Sequence, residues 1–139
     1  MNDRFKFRFW DKDRKIMIDE NSDIEYIANI YGRGEWWGCI EAKMPKILGC
    51  FDTEYFAIMQ CTGLKDKNGK LIFEGDIIKT ERHNLCDDNE KFEILYSDTF
   101  CQLLAKSLKS GHYLDLIDAY NAEIIGNIYE NEDLIDERN

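Results

Sequence analysis

The sequence contains no run of about 18 apolar residues, the length that a helix needs to cross a bilayer. Its first eight residues alternate charged and aromatic side chains where a secretory signal would require a continuous apolar stretch. We therefore expect neither a membrane-spanning helix nor a signal peptide, and we expect a cytoplasmic protein. The 139 residues predict one domain over residues 1–139.

The sequence also lacks any C-x-x-C pair. Its five cysteines are odd in number and widely spaced: Cys39, Cys50, Cys61, Cys86 and Cys101. This spacing argues against a disulfide framework and against a zinc ribbon. We therefore expect free and largely buried thiols.

Motifs of catalytic and phosphate-binding sites are missing as well. There is no G-x-S-x-G, H-E-x-x-H, Walker A or G-x-G-x-x-G pattern. The only approach to a metal site is His83-x-x-Cys86 beside Asp87 and Asp88, which is more typical of a solvated acidic loop. His83 or His112 could serve a nucleophilic cysteine, Cys86 or Cys101, but spacing alone does not establish this. We predict no enzyme, no cofactor and no metal.

Basic residues are scarce in the second half of the chain. Residues 1–70 hold 12 Lys and Arg against 12 Asp and Glu, whereas residues 71–139 hold 6 against 16. The second half therefore carries the whole net charge of −10. A surface of this charge repels a phosphate backbone, which argues against nucleic acid as a partner of that half.

What is present is a series of short strand patterns separated by turns. Phe5, Phe7 and Phe9 alternate with Arg4, Lys6 and Arg8, which predicts an edge strand with a buried aromatic face and a wet basic face. Residues 11–15 then form a turn, and 16–18 return as a second strand. Lys67-Asn68-Gly69-Lys70 predicts a hairpin whose two-residue turn has positive φ at both central positions.

Further strands are predicted at 71–73, 77–79, 92–96, 100–105, 113–117 and 124–129, with 103–106 open to a helix. The acidic pair in Glu74-Gly75-Asp76 fits a turn better than a catalytic pair, because the glycine between the acids favours bonds to nearby amides. Asn131 is placed to cap a short C-terminal helix. Residues 19–57 are broken by glycines and one proline and are read as irregular. The fold class is mainly β, α+β at most.

Three blocks of the chain carry a family resemblance: residues 5–11 (FKFRFWD), 59–78 (MQCTGLKDKNGKLIFEGDII) and 124–131 (IIGNIYEN). They resemble the signature blocks of the YopX family. The resemblance implies a phage or prophage origin in low-GC bacteria, a bacterial host cytoplasm, and a mainly β fold with an SH3-like barrel element. It implies no established activity. The structural motif positions are Thr62, Gly63, Leu64, Asp66, Asn68, Gly69, Glu74, Gly75, Asp76, Gly126 and Asn127.

The segment from 31 to 38 is the main candidate for binding. Tyr31, Arg33, Trp36 and Trp37 lie on glycine-rich backbone, where aromatic rings and an arginine could anchor a protein or stack on bases. Adjacent tryptophans on a strand point to opposite faces, so one of them is expected at the surface. The basic face of Arg4, Lys6 and Arg8 is a second, weaker candidate.

Three functions follow from these features. The first is a non-catalytic accessory protein that binds a host or phage protein, with a homo-oligomer left open. The second is an acidic anti-defence protein that mimics DNA. The third is a nucleic-acid-binding SH3-like module, which the net charge disfavours. A compact apolar patch would favour the first function, and a ridge of spaced acids would favour the second.

Overall fold

A computed structural model describes residues 6–19, 56–80, 90–116 and 121–135. Nine strands and one helix are described there. They are β1 (Phe7–Asp11), β2 (Ile16–Ile18), β3 (Phe56–Lys65), β4 (Leu71–Phe73), β5 (Asp76–Lys79), β6 (Lys91–Ser97), β7 (Gln102–Ser107), β8 (Tyr113–Asp115), β9 (Glu123–Asn127) and α1 (Glu132–Ile135).

The strands form two antiparallel sheets. One has the order β2-β1-β3-β4 and the other the order β8-β7-β6-β5-β9, and one of the two is curled into a half-barrel. The predicted mainly β class, the barrel element and the short C-terminal helix are confirmed. No helix in the described ranges is both long and apolar enough to span a bilayer.

The chain divides into two compact units, residues 1–61 and 62–139. The single domain over 1–139 stays a prediction. In the first unit, β1 and β2 form the predicted hairpin, and Asp11 organises its turn. The Asp11 carboxylate is 1% exposed and accepts hydrogen bonds from the backbone N–H groups of Asp13, at 3.0 Å, and Arg14, at 2.9 Å. The turn closes at Lys15, whose φ is +56°.

The predicted wet basic face on β1 is wrong at Arg8. β1 is an interior strand, paired with β2 on one side and β3 on the other, rather than an edge. Arg8 is only 9% exposed, and its Nε donates to the Met59 sulfur at 3.4 Å. Because successive side chains point to opposite faces, burial of both Phe9 and Trp10 shows that both faces of β1 are covered.

The second unit has its own apolar core. Its buried members come from β4 to β8 and from the approach to β9: Ile72, Ile78, Phe92, Ile94, Ala105, Leu114 and Ala122. Residues 102–107 are a strand, so the helical alternative at 103–106 is wrong. Pairing between β6 and β7 explains this, since Ala105 lies opposite Ile94 and buries its side chain in the same core.

The turn between β3 and β4 differs from the predicted two-residue type. Gly69 has φ +84°, but Asn68 does not have positive φ. The N–H of Gly69 donates to the carbonyl of Asp66 at 3.0 Å, and the N–H of Asp66 donates to the carbonyl of Lys70 at 2.7 Å. This is a three-residue loop in which a turn of type I geometry is followed by a left-handed glycine. The presence of the hairpin was predicted correctly and its turn type was not.

Cysteine burial follows the prediction in one of the two described cases. Cys61 is fully buried in β3, while Cys101 is exposed in the turn between β6 and β7. Cys101 has φ +54°, and its thiol donates to the carbonyl of Asp98 at 3.5 Å. The turn geometry, rather than the apolar character of the side chain, decides its exposure.

Candidate functional site

The residues first proposed for binding lie outside the described part of the chain. This applies to Tyr31, Arg33, Trp36 and Trp37, and equally to the loop residues His83, Cys86, Asp87 and Asp88. Their roles stay predictions. Within the described ranges no group of three or more His, Cys, Asp or Glu could hold a metal ion.

Asp66 is the centre of the signature hairpin. Its Oδ1 accepts hydrogen bonds from the N–H groups of Asn68 and Lys70, each at 2.9 Å. Its Oδ2 accepts from the N–H of Ile124 at 3.1 Å, across 58 positions of sequence. A backbone bond from Lys67 to the carbonyl of Ala122, at 2.8 Å, runs beside it. One carboxylate therefore shapes a turn and joins that turn to β9.

Opposing influences act on the pKa of Asp66. Burial, the largest single influence, raises it, because desolvation penalises the charged form. The backbone N–H groups of Lys70, Ile124 and Asn68, together with the charge of Lys70, outweigh this effect and hold the pKa below its usual value. The carboxylate is therefore kept ionised by the fold that it supports.

The Glu74-Gly75-Asp76 segment is a turn, as predicted. Asp76 is 2% exposed, and its Oδ2 accepts from the N–H of Phe73 at 2.8 Å. Gly75, with φ +86°, donates its N–H to the carbonyl of Ile94 at 2.7 Å and accepts from the N–H of Ile128 at 2.9 Å. The carboxylate of Asp76 thus has a structural partner.

The C-terminal block is packed around Gly126. A Cβ at Gly126 would lie 2.6 Å from the Asn131 Oδ1 and 2.8 Å from the Leu134 Cδ1. That Asn131 oxygen accepts from the N–H of Asn127 at 3.1 Å, and the Asn127 Oδ1 accepts from the N–H groups of Tyr129 and Glu130. Asn131 precedes α1 as predicted, and its side chain fixes the backbone at the end of β9.

Gly126 also lies next to a β-bulge. Ile77 faces Gly126 while Ile78 faces Ile124, which leaves Ile125 as an extra residue in β9. In these three segments Asp66, Asp76 and Asn127 therefore position the backbone, because their side-chain oxygens accept hydrogen bonds from its N–H groups.

A cavity of about 190 Å³ opens at the edge of the second core. Core residues such as Ile72, Ile78 and Ile94 form much of its wall, with the motif residue Leu64 at its rim. The Thr62 hydroxyl in its wall donates to the Ile72 carbonyl at 2.8 Å. Ligand sites combine apolar walls with convergent polar groups, and the polar side chains that line this cavity are Thr62 and Lys65.

The most prominent exposed feature of the described chain is an aromatic patch made of Phe100, Lys106 and Tyr113. Phe100 is 56% exposed and Tyr113 47% exposed. Their rings meet edge to face with centroids 5.8 Å apart, and the Lys106 ammonium lies 5.7 Å from the Tyr113 ring centre. Lys106 and Tyr113 are directly opposite on β7 and β8. The patch therefore combines side chains of two paired strands, Lys106 and Tyr113, with Phe100 in the short turn between β6 and β7.

Tyr96 is equally exposed but belongs to another surface. It pairs with Leu103 on β7, three residues from Lys106, so the two positions point to opposite faces of the sheet. The aromatic patch is therefore confined to one face.

Comparison with known proteins identifies the family. The family model described as YopX protein matches residues 6–136. The chain belongs to the YopX family. Its structure is similar to the crystal structure of protein EF1440 from Enterococcus faecalis, with 26% identity, a TM-score of 0.53, and coverage of 94% of this chain and 96% of that chain. No curated protein matches the chain.

The sequence analysis of this YopX-family protein did not predict the aromatic patch. Phe100 was assigned to the start of a strand, whereas it lies in a turn in which Ser97 Oγ accepts the Phe100 N–H at 3.2 Å. The available signal was Ser97-Asp98-Thr99, a polar run typical of a turn. A phenylalanine that follows such a run is a candidate for exposure.

Proposed function

We propose that this YopX protein is a non-catalytic accessory protein of phage or prophage origin that binds a host or phage protein in the bacterial cytoplasm. The observation that supports this function most directly is the aromatic patch of Phe100, Lys106 and Tyr113. Exposed aromatic side chains held against each other are the usual anchors of protein interfaces, because they bury much area with little loss of conformational freedom.

The roles of the signature acids add to this proposal. Asp66 and Asp76 are buried and accept hydrogen bonds from backbone N–H groups. A structural role therefore accounts for both carboxylates, and neither needs a catalytic role to explain it. Burial of Arg8 also weakens the nucleic-acid alternative, since that side chain was part of the basic face on which the alternative depended. A packed protein interface is therefore favoured over nucleic-acid binding.

The test is affinity capture from the lysogenic or infected host, followed by measurement with the purified partner. The double variant Phe100→Ser, Tyr113→Ser should weaken binding at least about tenfold, in line with the cost of removing central aromatic anchors. Tyr96→Ser is the matched control, because it removes an aromatic ring of 50% exposure from the opposite face.

Salt separates the alternatives. Binding through the aromatic patch should persist at moderate salt, whereas capture by the acidic surface should fall steeply. A partner that is lost with salt and retained by the double variant would contradict the proposal and favour DNA mimicry. A partner lost equally with Tyr96→Ser would also contradict it.

A further inference from the structure

The two outer strands of the five-stranded sheet differ in how their backbone groups are used. β9 forms one edge, and the turn around Asp66 covers it: Ile124 N–H donates to Asp66 and Ala122 carbonyl accepts from Lys67. β8 forms the other edge and contains only Tyr113, Leu114 and Asp115. Natural sheets usually cover, charge or shorten their edges; β8 is a short edge, and no described residue covers its outer side.

The register shows which β8 groups face outward. Ser107 N–H donates to the carbonyl of His112, so these two residues form a hydrogen-bonded pair. In an antiparallel ladder such pairs alternate, which makes Ala105 and Leu114 the next bonded pair. Tyr113 and Asp115 therefore direct their N–H and carbonyl groups away from β7.

The bonding of β6 to β7 gives the same result independently. Leu108 N–H donates to the Lys91 carbonyl, so the bonded pairs on that side fall at every second position, including Lys106 with Glu93. Lys106 thus turns its backbone toward β6, away from Tyr113. In the described ranges, Tyr113 and Asp115 have no backbone partner on their outer side.

The side chains of Tyr113 and Asp115 indicate what kind of strand could pair with the outward backbone groups of these residues. Tyr113 and Asp115 point to the same face, and both are exposed. Tyr113 continues into the aromatic patch through Phe100. Asp115 makes no ion pair within the described part of the chain, and it belongs to the half of the sequence that carries the net charge of −10.

We infer that β8 is a strand-addition site, at which an extended segment of a basic protein partner pairs with the backbone of Tyr113 and Asp115. The segment carries an apolar residue against Tyr113 and Phe100 and, two positions along, a Lys or Arg opposite Asp115. Main-chain bonds give such a contact its affinity, and the alternate side chains give it specificity. This inference rests on the proposed function, since it names how the bound protein is held.

The first experiment uses a capped synthetic peptide, Thr-Val-Thr-Lys-Thr-Val-Thr, and hydrogen exchange of the full chain measured by NMR. The amides of Tyr113 and Asp115 should exchange rapidly in the free protein and about tenfold more slowly with saturating peptide. The amide of Leu114, which is directed to β7, is the internal control and should be protected in both states.

Three results would overturn the inference. One is unchanged exchange at Tyr113 and Asp115 in the presence of the lysine peptide. Another is equal protection by the peptide with Glu in place of Lys, which would remove the basic character of the partner. The third is protection without peptide that rises with protein concentration, which would make a second copy the occupant.

Variants at Asp115 supply the second experiment. Asp115→Pro removes an outward N–H and should abolish peptide protection of Tyr113 while the Leu114 amide stays protected. Asp115→Lys should reverse the preference from the lysine peptide to the glutamate peptide. Protection of Tyr113 that survives in Asp115→Pro would contradict pairing at this edge.

The failure of this inference is distinguishable from failure of the proposed function. A captured partner that is lost with Phe100→Ser, Tyr113→Ser and fully retained with Asp115→Pro would leave the binding function standing and exclude strand addition. A partner indifferent to the double variant would exclude the aromatic patch as the interface.

Discussion

The two edges of the five-stranded sheet have opposite relations to the YopX signature. At β9, signature residues occupy the outer backbone groups, with the Asp66 carboxylate bonded to Ile124 N–H at 3.1 Å. At β8, no signature residue is present, and the outer groups of Tyr113 and Asp115 face away from β7. One edge is closed by the fold, while no residue of the described ranges covers the other, which lies beside exposed aromatic rings. The difference indicates that the signature stabilises the scaffold, and the binding surface that we propose lies elsewhere.

Proline substitutions at the two edges should show the largest difference in the free energy of unfolding. Ile124→Pro removes the N–H that bonds to Asp66 and should lower the free energy of unfolding by about 3 kcal/mol or more. Asp115→Pro removes an outward N–H and should cost less than about 1 kcal/mol, since proline is tolerated on open edges. Urea unfolding of both variants measures the difference. Equal losses would show that the two edges are not distinct.

Removing the carboxylate that closes β9 should have the next largest effect. Asp66→Ala leaves three part-buried backbone donors, two in the turn and one at Ile124, without this acceptor, and should cost about 2–3 kcal/mol. Asp66→Asn should cost less, because its single oxygen can still serve Asn68 and Lys70 while its NH₂ opposes Ile124. Chemical denaturation at neutral pH would rank them, and an Asp66→Ala cost under about 0.5 kcal/mol would contradict the role given to this carboxylate.

Filling the space at Gly126 should destabilise the end of β9 by about 1–3 kcal/mol, the usual cost of overpacking. In Gly126→Ala the added methyl meets the Asn131 side chain at 2.6 Å, so the contact to Asn127 N–H must shift. Gly69→Ala is the matched control, because nothing lies within 4 Å of its Cβ and only the positive φ opposes the change. Thermal unfolding of both would separate crowding from backbone strain.

Acid should weaken the closed edge in a defined pH window. The pKa of Asp66 is lowered in the folded state, so its contribution is fully present above the unfolded value of about 3.9 and is lost as pH falls through the folded value. The stability difference between the native protein and Asp66→Asn should therefore be constant above about pH 5 and shrink below about pH 4. A difference that grows on acidification would contradict the assigned direction.

Loss of the exposed Phe100 ring, which lies beside Tyr113 of the open edge, should have the smallest effect on stability. Phe100→Ser removes a ring that is 56% exposed and should change the free energy of unfolding by less than about 1 kcal/mol. Its effect on partner binding should be far larger, because the same ring is proposed as an anchor. Parallel unfolding and binding measurements test this separation, and a loss of stability as large as that of Asp66→Ala would make Phe100 a structural residue.

Much of the fold follows from local pattern. The hairpin of residues 7–18, the hairpin around Gly69, the turn at Gly75 and the helix after Asn131 were all predictable, because turn chemistry acts over a few residues. The exposure of Arg8 was predicted wrongly, because it depends on long-range strand pairing and not on local pattern. Alternation indicates which residues share a face, but whether a strand is interior or at an edge depends on its neighbours, and β1 has one on each side.

The candidate site was less accessible to sequence reasoning. Phe100 and Tyr113 are 13 positions apart, and nothing in the intervening residues indicates that their rings meet. The contact follows from the pairing of β6, β7 and β8 and from a turn at Cys101 whose positive φ a non-glycine residue adopts. Such a conformation is uncommon for cysteine, so propensity alone did not predict it.

The sequence by itself determined the family, the mainly β class and the positions of the tight turns, because these depend on signature blocks and on short-range backbone chemistry. Only the tertiary structure decided which sheet edge is closed. The bond from Asp66 to Ile124 spans 58 positions, and its counterpart at β8 is missing because no turn of the described chain reaches that edge. Edge protection is a property of strand order, which is set by long-range pairing and not by local preference.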